Sequence, residues 1–218
     1  MTEEEKYVQR DEQGNILFSV PLQGGKPHGT ANMFNPDGSV LQQMDYQHGV
    51  IEGEMRRYDK DSQLEQVSTM QNGKLHGELR TFEHQRPRML MTYMNGIPNG
   101  PMQIWHPNGQ LAAEAKLVHG KAEGESHIFG ENGEIMQRLN YRNGVLNGRA
   151  EQFFPSGALR ETTHWKDGLK HGDSSIFSES GELEKQMHYE KGKVLSQKMA
   201  EKSSVRKNFW RKTVFGGK

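Results

Sequence analysis

A five-residue box, Gly-Lys-Leu-His-Gly at 73–77, organises this chain because its glycine spacing keeps returning. G-x-x-x-G pairs fall at Gly25/Gly29, Gly49/Gly53, Gly73/Gly77, Gly96/Gly100, Gly120/Gly124, Gly144/Gly148 and Gly168/Gly172. An eighth box opens at Gly192 but has Ser196 where its second glycine belongs. Successive boxes are 24, 24, 23, 24, 24, 24 and 24 residues apart. A fixed short period means that one supersecondary unit is stacked many times, and this outranks any local propensity.

With the first glycine of each box as position 0, further columns align. Position 9 is aromatic in all seven complete repeats: Phe34, Tyr58, Phe82, Trp105, Phe129, Phe153 and Phe177. Position 13 is glycine in five (Gly38, Gly109, Gly133, Gly157, Gly181), and position 15 is aliphatic in six (Val40, Leu64, Leu111, Ile135, Leu159, Leu183). Position 21 is large and apolar throughout: Tyr46, Met70, Tyr93, Leu117, Tyr141, Trp165, Tyr189. The third repeat is one residue short, with the deletion in its Gln-Arg-Pro-Arg region at 85–88.

Each unit carries two turn signals. One is a middle tetrapeptide such as Asn-Pro-Asp-Gly at 35–38 or His-Pro-Asn-Gly at 106–109. Proline presets φ for an early turn position and glycine accepts positive φ. The other is the box, entered as Asn-Gly at 72–73, 95–96 and 143–144 or Asp-Gly at 167–168, a strong hairpin signal between short apolar runs. Between the turns, positions 15, 19 and 21 tend to be apolar and 16 and 20 polar, while positions 6 and 8 are often apolar and 5 and 7 polar. That is strand periodicity. Each repeat therefore reads as one β-hairpin, with no helix across 10–192. The fold class is all-β: an elongated, twisted antiparallel meander of about seven hairpins and about fifteen strands. At about 4.8 Å per strand the sheet extends on the order of 70 Å. The aromatic ladder at position 9 and the aliphatic ladder at position 15 are expected to stack from repeat to repeat, each cross-strand pair contributing about 0.2–1 kcal/mol.

Composition fits a thin sheet better than a thick core: only 32% of the 218 residues are hydrophobic and mean hydropathy is −0.92. Absence of cysteine excludes disulfides and thiolate metal sites. No apolar run reaches the length of about 18 residues that a membrane span needs. The acidic Met-Thr-Glu-Glu-Glu-Lys start is unlike a secretion signal, and the default expectation is a cytoplasmic protein.

The formal net charge of zero conceals an asymmetry. Residues 193–218 hold eight basic side chains against Glu201 alone, a charge of +7, whereas 1–192 hold 20 basic against 27 acidic, −7. Two segments follow: a repeat sheet over 1–192 and a basic tail or cap over 193–218. In the tail, Ser203 or Ser204 can cap a short amphipathic helix in which Val205 and Phe209, and Trp210 and Val214, pair at i, i+4. At the other end Gly14, Ile16 and Leu22 fit positions 13, 15 and 21 of a partial repeat, and the run Glu3-Glu4-Glu5 discourages pairing at that open edge.

The Gly-Lys-Leu-His-Gly box, the aromatic at position 9, the Pro-Asn-Gly turn and the tyrosine-rich position 21 together resemble MORN repeats (membrane occupation and recognition nexus). The closer likeness is to the bacterial variant with a period near 24, found in antitoxin-like proteins, and it covers about residues 10–196. The resemblance implies a protein-binding role in which the sheet sterically blocks a toxin or secreted effector made by the same cell. An alternative from another class is a membrane-associated scaffold whose basic tail meets an anionic bilayer.

No catalytic, metal or cofactor site is expected. His28, His76 and His171 share position 3, and His48 and His119 share position 23, so repeated turn geometry explains them better than ligation does. No His-x-His or His-Glu-x-x-His spacing occurs. The acids lie in exposed columns without a unique cluster, which points away from an enzyme. A body of charge −7 argues against nucleic acid. Candidate partner contacts are the position-17 ladder (Gln42, Gln66, Gln137, Glu161, Lys185), the Arg86-Pro87-Arg88 turn of the short repeat with Arg86 and Arg88, and Arg206, Phe209, Trp210 and Arg211 of the tail. Function is sought where a repeat departs from its own rule.

Overall fold

The structure is a computed structural model and describes residues 5–200. The expected tail helix, with Arg206, Phe209, Trp210 and Arg211, lies outside the described residues, as do Glu3 and Glu4. Twenty strand segments, three of them short leading pieces of a strand split at its box, make 17 rungs of one antiparallel meander. This exceeds the expected fifteen because the N-terminal half-unit and the last box each contribute strands of their own. Lys6–Arg10 pairs with Ile16–Gln23 at one end. Lys193–Met199, within the segment set apart by its charge, pairs with Leu183–Glu190 at the other. Among the described residues there is no helix, and none long and apolar enough to cross a membrane.

The two glycines of the box have different tasks. The first ends a two-residue hairpin loop, for example Asn72-Gly73 between Gln71 and Lys74. Both loop residues have positive φ, 51° at Asn72 and 72° at Gly73, which is the type I′ geometry whose twist matches paired strands. Loop residues of the same kind, His48 (49°) and His119 (49°), account for two of the histidines. The glycine N–H then donates to the preceding repeat: Gly73 N to Ile51 O at 2.9 Å, Gly96 N to Leu75 O at 2.7 Å, Gly168 N to Leu146 O at 2.9 Å. Stacked turns thereby join one repeat to the next along one margin of the sheet.

The second glycine forms a bulge. Tyr46 opposes Ile51 but Met44 opposes Met55, so the strand carrying Gly53 has two extra residues against its partner. The same advance occurs in the other complete boxes, as in Met70↔Leu75 with Ser68↔Leu79. Two extra residues preserve the alternation of faces, where one would reverse it. Glycine is required here: φ is 98° at Gly77 and 133° at Gly100. A Cβ would stand 3.3 Å from Thr69 Cβ at Gly77 and 2.9 Å from Thr92 Cβ at Gly100. Across the ladder each such glycine faces a large position-21 side chain, as Gly53 faces Met70 and Gly148 faces Trp165.

The middle turns are closed by a position-10 residue, as in Asn35 N to Ser39 O at 2.9 Å and Gly38 N to Asn35 O at 2.9 Å. Aspartates tighten several of them. The amide of Asn15 donates to Asp11 at 2.9 Å, and with backbone N–H groups it holds the Asp11 carboxyl below its ordinary value. The Ser39 hydroxyl does the same for Asp37. In the short repeat the turn falls on His84-Gln85, with Glu83 opposite Arg86 and both loop residues at positive φ, 49° and 63°. Arg86-Pro87-Arg88 is therefore not a turn. These residues begin the Arg86–Met94 strand, because the deletion shortens the loop to the two-residue kind.

The apolar ladders lie elsewhere than expected. Position 9 and position 15 oppose one another across each middle turn, as Phe34↔Val40 and Phe153↔Leu159, and these pairs are half-buried. The most buried column is formed by positions 6 and 19, in which Met55, Met91, Met102, Ala115 and Leu139 are half-buried and the rest buried. It runs Ala31, Met44, Met55, Ser68, Leu79, Met91, Met102 and Ala115, each directly opposite the next. In the same register it continues through Ser126, Leu139, Ala150, Thr163, Ser174 and Met187. Ala31 and Ser68 are 0% exposed and Ser174 1%. A single row, half of it Ala, Ser or Thr and half Met or Leu, is the core of this sheet.

Candidate binding face

The covered row is the floor of a long trough, and strand alternation places its walls. Position 21, two residues from position 19, lies on the same face. It supplies Tyr46, Met70, Tyr93, Leu117, Tyr141, Trp165 and Tyr189, most of them half-buried. On the other side of the floor, positions 17 and 8 alternate: Gln42↔Arg57, Gln66↔Thr81, Gln137↔Gln152, Glu161↔Ile176. The five position-17 candidates Gln42, Gln66, Gln137, Glu161 and Lys185 thus share one row and are all half-buried. Their ladder is not continuously polar. Met89, Ile104 and Ala113 interrupt it, and Ile104 and Ile128 stand 38% and 39% exposed. Met89 and Ala113 of position 17 and Ile104 and Ile128 of position 8 together make this apolar patch.

A distinct groove opens along the floor in the fifth to seventh repeats. Leu139, Ala150 and Thr163 underlie a groove of about 250 Å³ between Trp165 on one side and Gln137, Gln152 and Glu161 on the other. Lys170 closes its end. Its ammonium lies 5.8 Å from the Trp165 ring centre, 5.3 Å from that of Tyr189 and 3.4 Å from Glu161 Oε1. Elsewhere position 2 is apolar, as Ile51, Leu75 and Leu146, so Lys170 is a departure that column alignment could have flagged. Two floor hydroxyls, Ser68 Oγ and Ser126 Oγ, are buried without a hydrogen-bond partner among the described residues. Leaving such a group unpaired costs about 1–3 kcal/mol.

The opposite face is charged and locally paired. His127 lies between Glu114 (2.8 Å) and Glu125 (2.6 Å). Arg138 and Arg149 both reach Glu151, at 3.4 and 2.7 Å. Arg80 pairs with Glu78, two residues away on the same face. Exposed pairs of this type contribute about 0–1 kcal/mol and chiefly keep the face solvated. Of the short-repeat candidates, Arg86 donates to the carbonyl of Pro107 at 3.1 Å. Arg88 pairs with Glu83 at 3.1 Å and leaves Nη1 buried without a partner among the described residues. Both arginines serve local contacts at the turn margin, away from the trough floor. Among the described residues no three His, Asp or Glu side chains come close enough to hold a metal.

Comparison with known proteins matches the repeat itself. A model described as MORN repeat variant matches residues 98–118, 146–167 and 170–191, each span running from just after a box opens to about the end of its second strand. No curated protein matches. Among solved structures, a mutant TarM from Staphylococcus aureus shares 6% identity over 55% of this chain and 21% of its own, at a TM-score of 0.25. The TcdB2-TccC3 complex shares 9% identity over 87% of this chain and 13% of its own, at a TM-score of 0.24. The Photorhabdus luminescens Tc holotoxin pore shares 11% over 90% and 14%, at 0.20. The chain thus spans about a fifth or less of each of these chains. Three units match the MORN repeat variant and all seven complete boxes are built alike, so the chain carries MORN-type repeats.

Proposed function

We propose that this protein is a non-enzymatic binding protein that acts as an antitoxin or immunity protein, covering a toxin or secreted effector through the trough face. The observation that carries the binding surface is the trough, in which a wall rich in Tyr, with Trp165, borders an open groove over Leu139, Ala150 and Thr163. Tyrosine and tryptophan supply large, rigid contact area with a polar tip and are the residues around which protein interfaces concentrate their affinity. The antitoxin role follows from the resemblance to the bacterial 24-residue variant. The mechanism is steric: a segment of the toxin lies along the trough and its working surface is covered.

Co-expression with toxins encoded beside this gene is the test. The expected result is restored growth and co-purification of the pair. Trp165→Ala is expected to weaken the complex by more than about tenfold, the loss typical of a central aromatic contact. No binding and no rescue with any neighbouring toxin overturns the reading.

A further inference from the structure

Among the complete repeats the charged face fails its own pattern where the sixth repeat meets the seventh. Its middle row, positions 7 and 18, carries bulky or charged side chains through most of the sheet: Arg56↔Val67, Arg80↔Leu90, Gln103↔Glu114, His127↔Arg138, Arg138↔Glu151. Where the sixth repeat meets the seventh, the same two positions are Thr162 and Ser175, directly opposite each other. The result is a depression of about 470 Å³ with Arg149, His164, His188 and Lys198 around it.

Lys198 is present because the eighth box is broken. At an intact junction position 6 faces position 19 of the preceding repeat, as Ser174 faces Thr163. The same register at the last strand would set Lys198 opposite Met187, at the end of the covered row. Ser196 lacks positive φ, and the bulge there holds one extra residue instead of two: Tyr189 opposes Val194 and His188 opposes Ser196. Met187 therefore faces Gln197, and Lys198 faces Gln186 beside Ser175. A one-residue slip reverses the faces of a strand, and here it carries an ammonium from the trough side to the rim of the depression.

At this place the Thr162 and Ser175 hydroxyls, the Gln186 amide and the Lys198 ammonium can all donate to a ligand. Asp173 is the carboxylate on the rim, and His188 and His164 both turn to it. It accepts from His188 Nδ1 at 2.6 Å, while its backbone carbonyl accepts from His164 Nδ1 at 3.2 Å. Arg149 holds Glu151 at 2.7 Å with one arm of a five-donor fork. We infer that this depression binds a carboxylate side chain in an acidic segment of a protein partner. The hydroxyls and the glutamine amide contact its oxygens, and Lys198 with Arg149 supplies the opposing charge. This contact is separate from the trough and goes beyond the proposed function.

The test is an amide-shift titration of the full chain at low salt with tetraglutamate, against tetralysine and inorganic phosphate. Tetraglutamate is expected to shift resonances clustered at Thr162, Ser175, Gln186 and Lys198, with an effect that fades as salt rises. Filling the dip with the ion pair found one repeat earlier, Thr162→Arg with Ser175→Glu, is expected to weaken binding at least about tenfold. Should that pair disturb the hairpin, Lys198→Glu at the exposed last strand gives the same readout. Shifts scattered over the charged face, equal response to tetralysine, phosphate binding as well as the peptide, or full binding by both variants each overturn the inference. The probe is a peptide and not the cognate toxin, so this result bears on the depression and toxin rescue bears on the trough.

Discussion

The seven intact boxes and the broken eighth are the same device with and without one glycine. In the intact boxes a residue at positive φ lets the strand take in two extra residues, and the side-chain faces are kept from one hairpin to the next. At Ser196 the strand takes in one, and the last strand arrives with its faces exchanged. The box glycine therefore controls register parity, and register parity decides which side chains reach the trough. A repeat that keeps its glycine continues the covered row; one that loses it ends the row and delivers different chemistry to the other face.

The largest effect is expected from making an intact box resemble the broken one. Gly100→Ala places a Cβ 2.9 Å from Thr92 Cβ at a φ of 133°, so strain and steric conflict add. A loss of about 3 kcal/mol is expected, lowering the midpoint of thermal unfolding by roughly 6–12 °C for a domain of this size. Calorimetry checks it. Gly96→Ala, where nothing lies within 4 Å, meets only the backbone penalty and should lose less. Equal losses at both would mean that Thr92 gives way and the close approach does not matter.

Much of this was legible in the sequence, and the limits have physical causes. Glycine spacing located every box loop, because only a few residues tolerate positive φ and those residues recur. The covered row was not legible, because a floor beneath taller walls is built from Ala, Ser and Thr as readily as from Met and Leu. Ser68 and Ser126 look polar in the sequence and are among the most buried residues. The position-17 row was picked out as a polar ladder, and its apolar interruption at Met89 and Ala113 was lost among the glutamines. The short-repeat turn was set too late in the chain. Proline and arginine at 86–88 look like loop residues, and a two-residue turn at His84-Gln85 has no glycine to announce it. The depression at Thr162 and Ser175 owes its lysine to the slip at Ser196, and which way a slipped strand turns its faces is a property of pairing that no local pattern carries.

That glycine-free turn offers a second way to sharpen the comparison. Gln85 sits at φ 63°, in the loop position where the boxes place glycine. Gln85→Gly relieves the left-handed strain of a side-chain-bearing residue, with a stabilisation of about 1 kcal/mol. Denaturant unfolding should show a higher midpoint with an unchanged slope. A lower midpoint would mean that Gln85 contributes a contact worth more than its strain, and that the short repeat is tuned to its own loop.

The smallest effect on stability and the most direct reading of parity come from repairing the eighth box. Ser196→Gly permits positive φ at that position. With two extra residues allowed, the last strand would pass from Tyr189↔Val194 directly to Met187 opposite Lys198, as Tyr46↔Ile51 passes to Met44↔Met55 in an intact box. The exchange trades one edge-strand register for another, so stability should change by no more than about 0.5 kcal/mol, as for other substitutions at exposed positions. Cross-strand proton contacts report the register itself: in the native chain Met187 is near Gln197, and in the variant it should be near Lys198. The same shift takes the ammonium off the charged face, so tetraglutamate binding should fall with it. If Met187 stays beside Gln197 in the variant, residues 197–199 hold the register by themselves and the missing glycine is its consequence, not its cause.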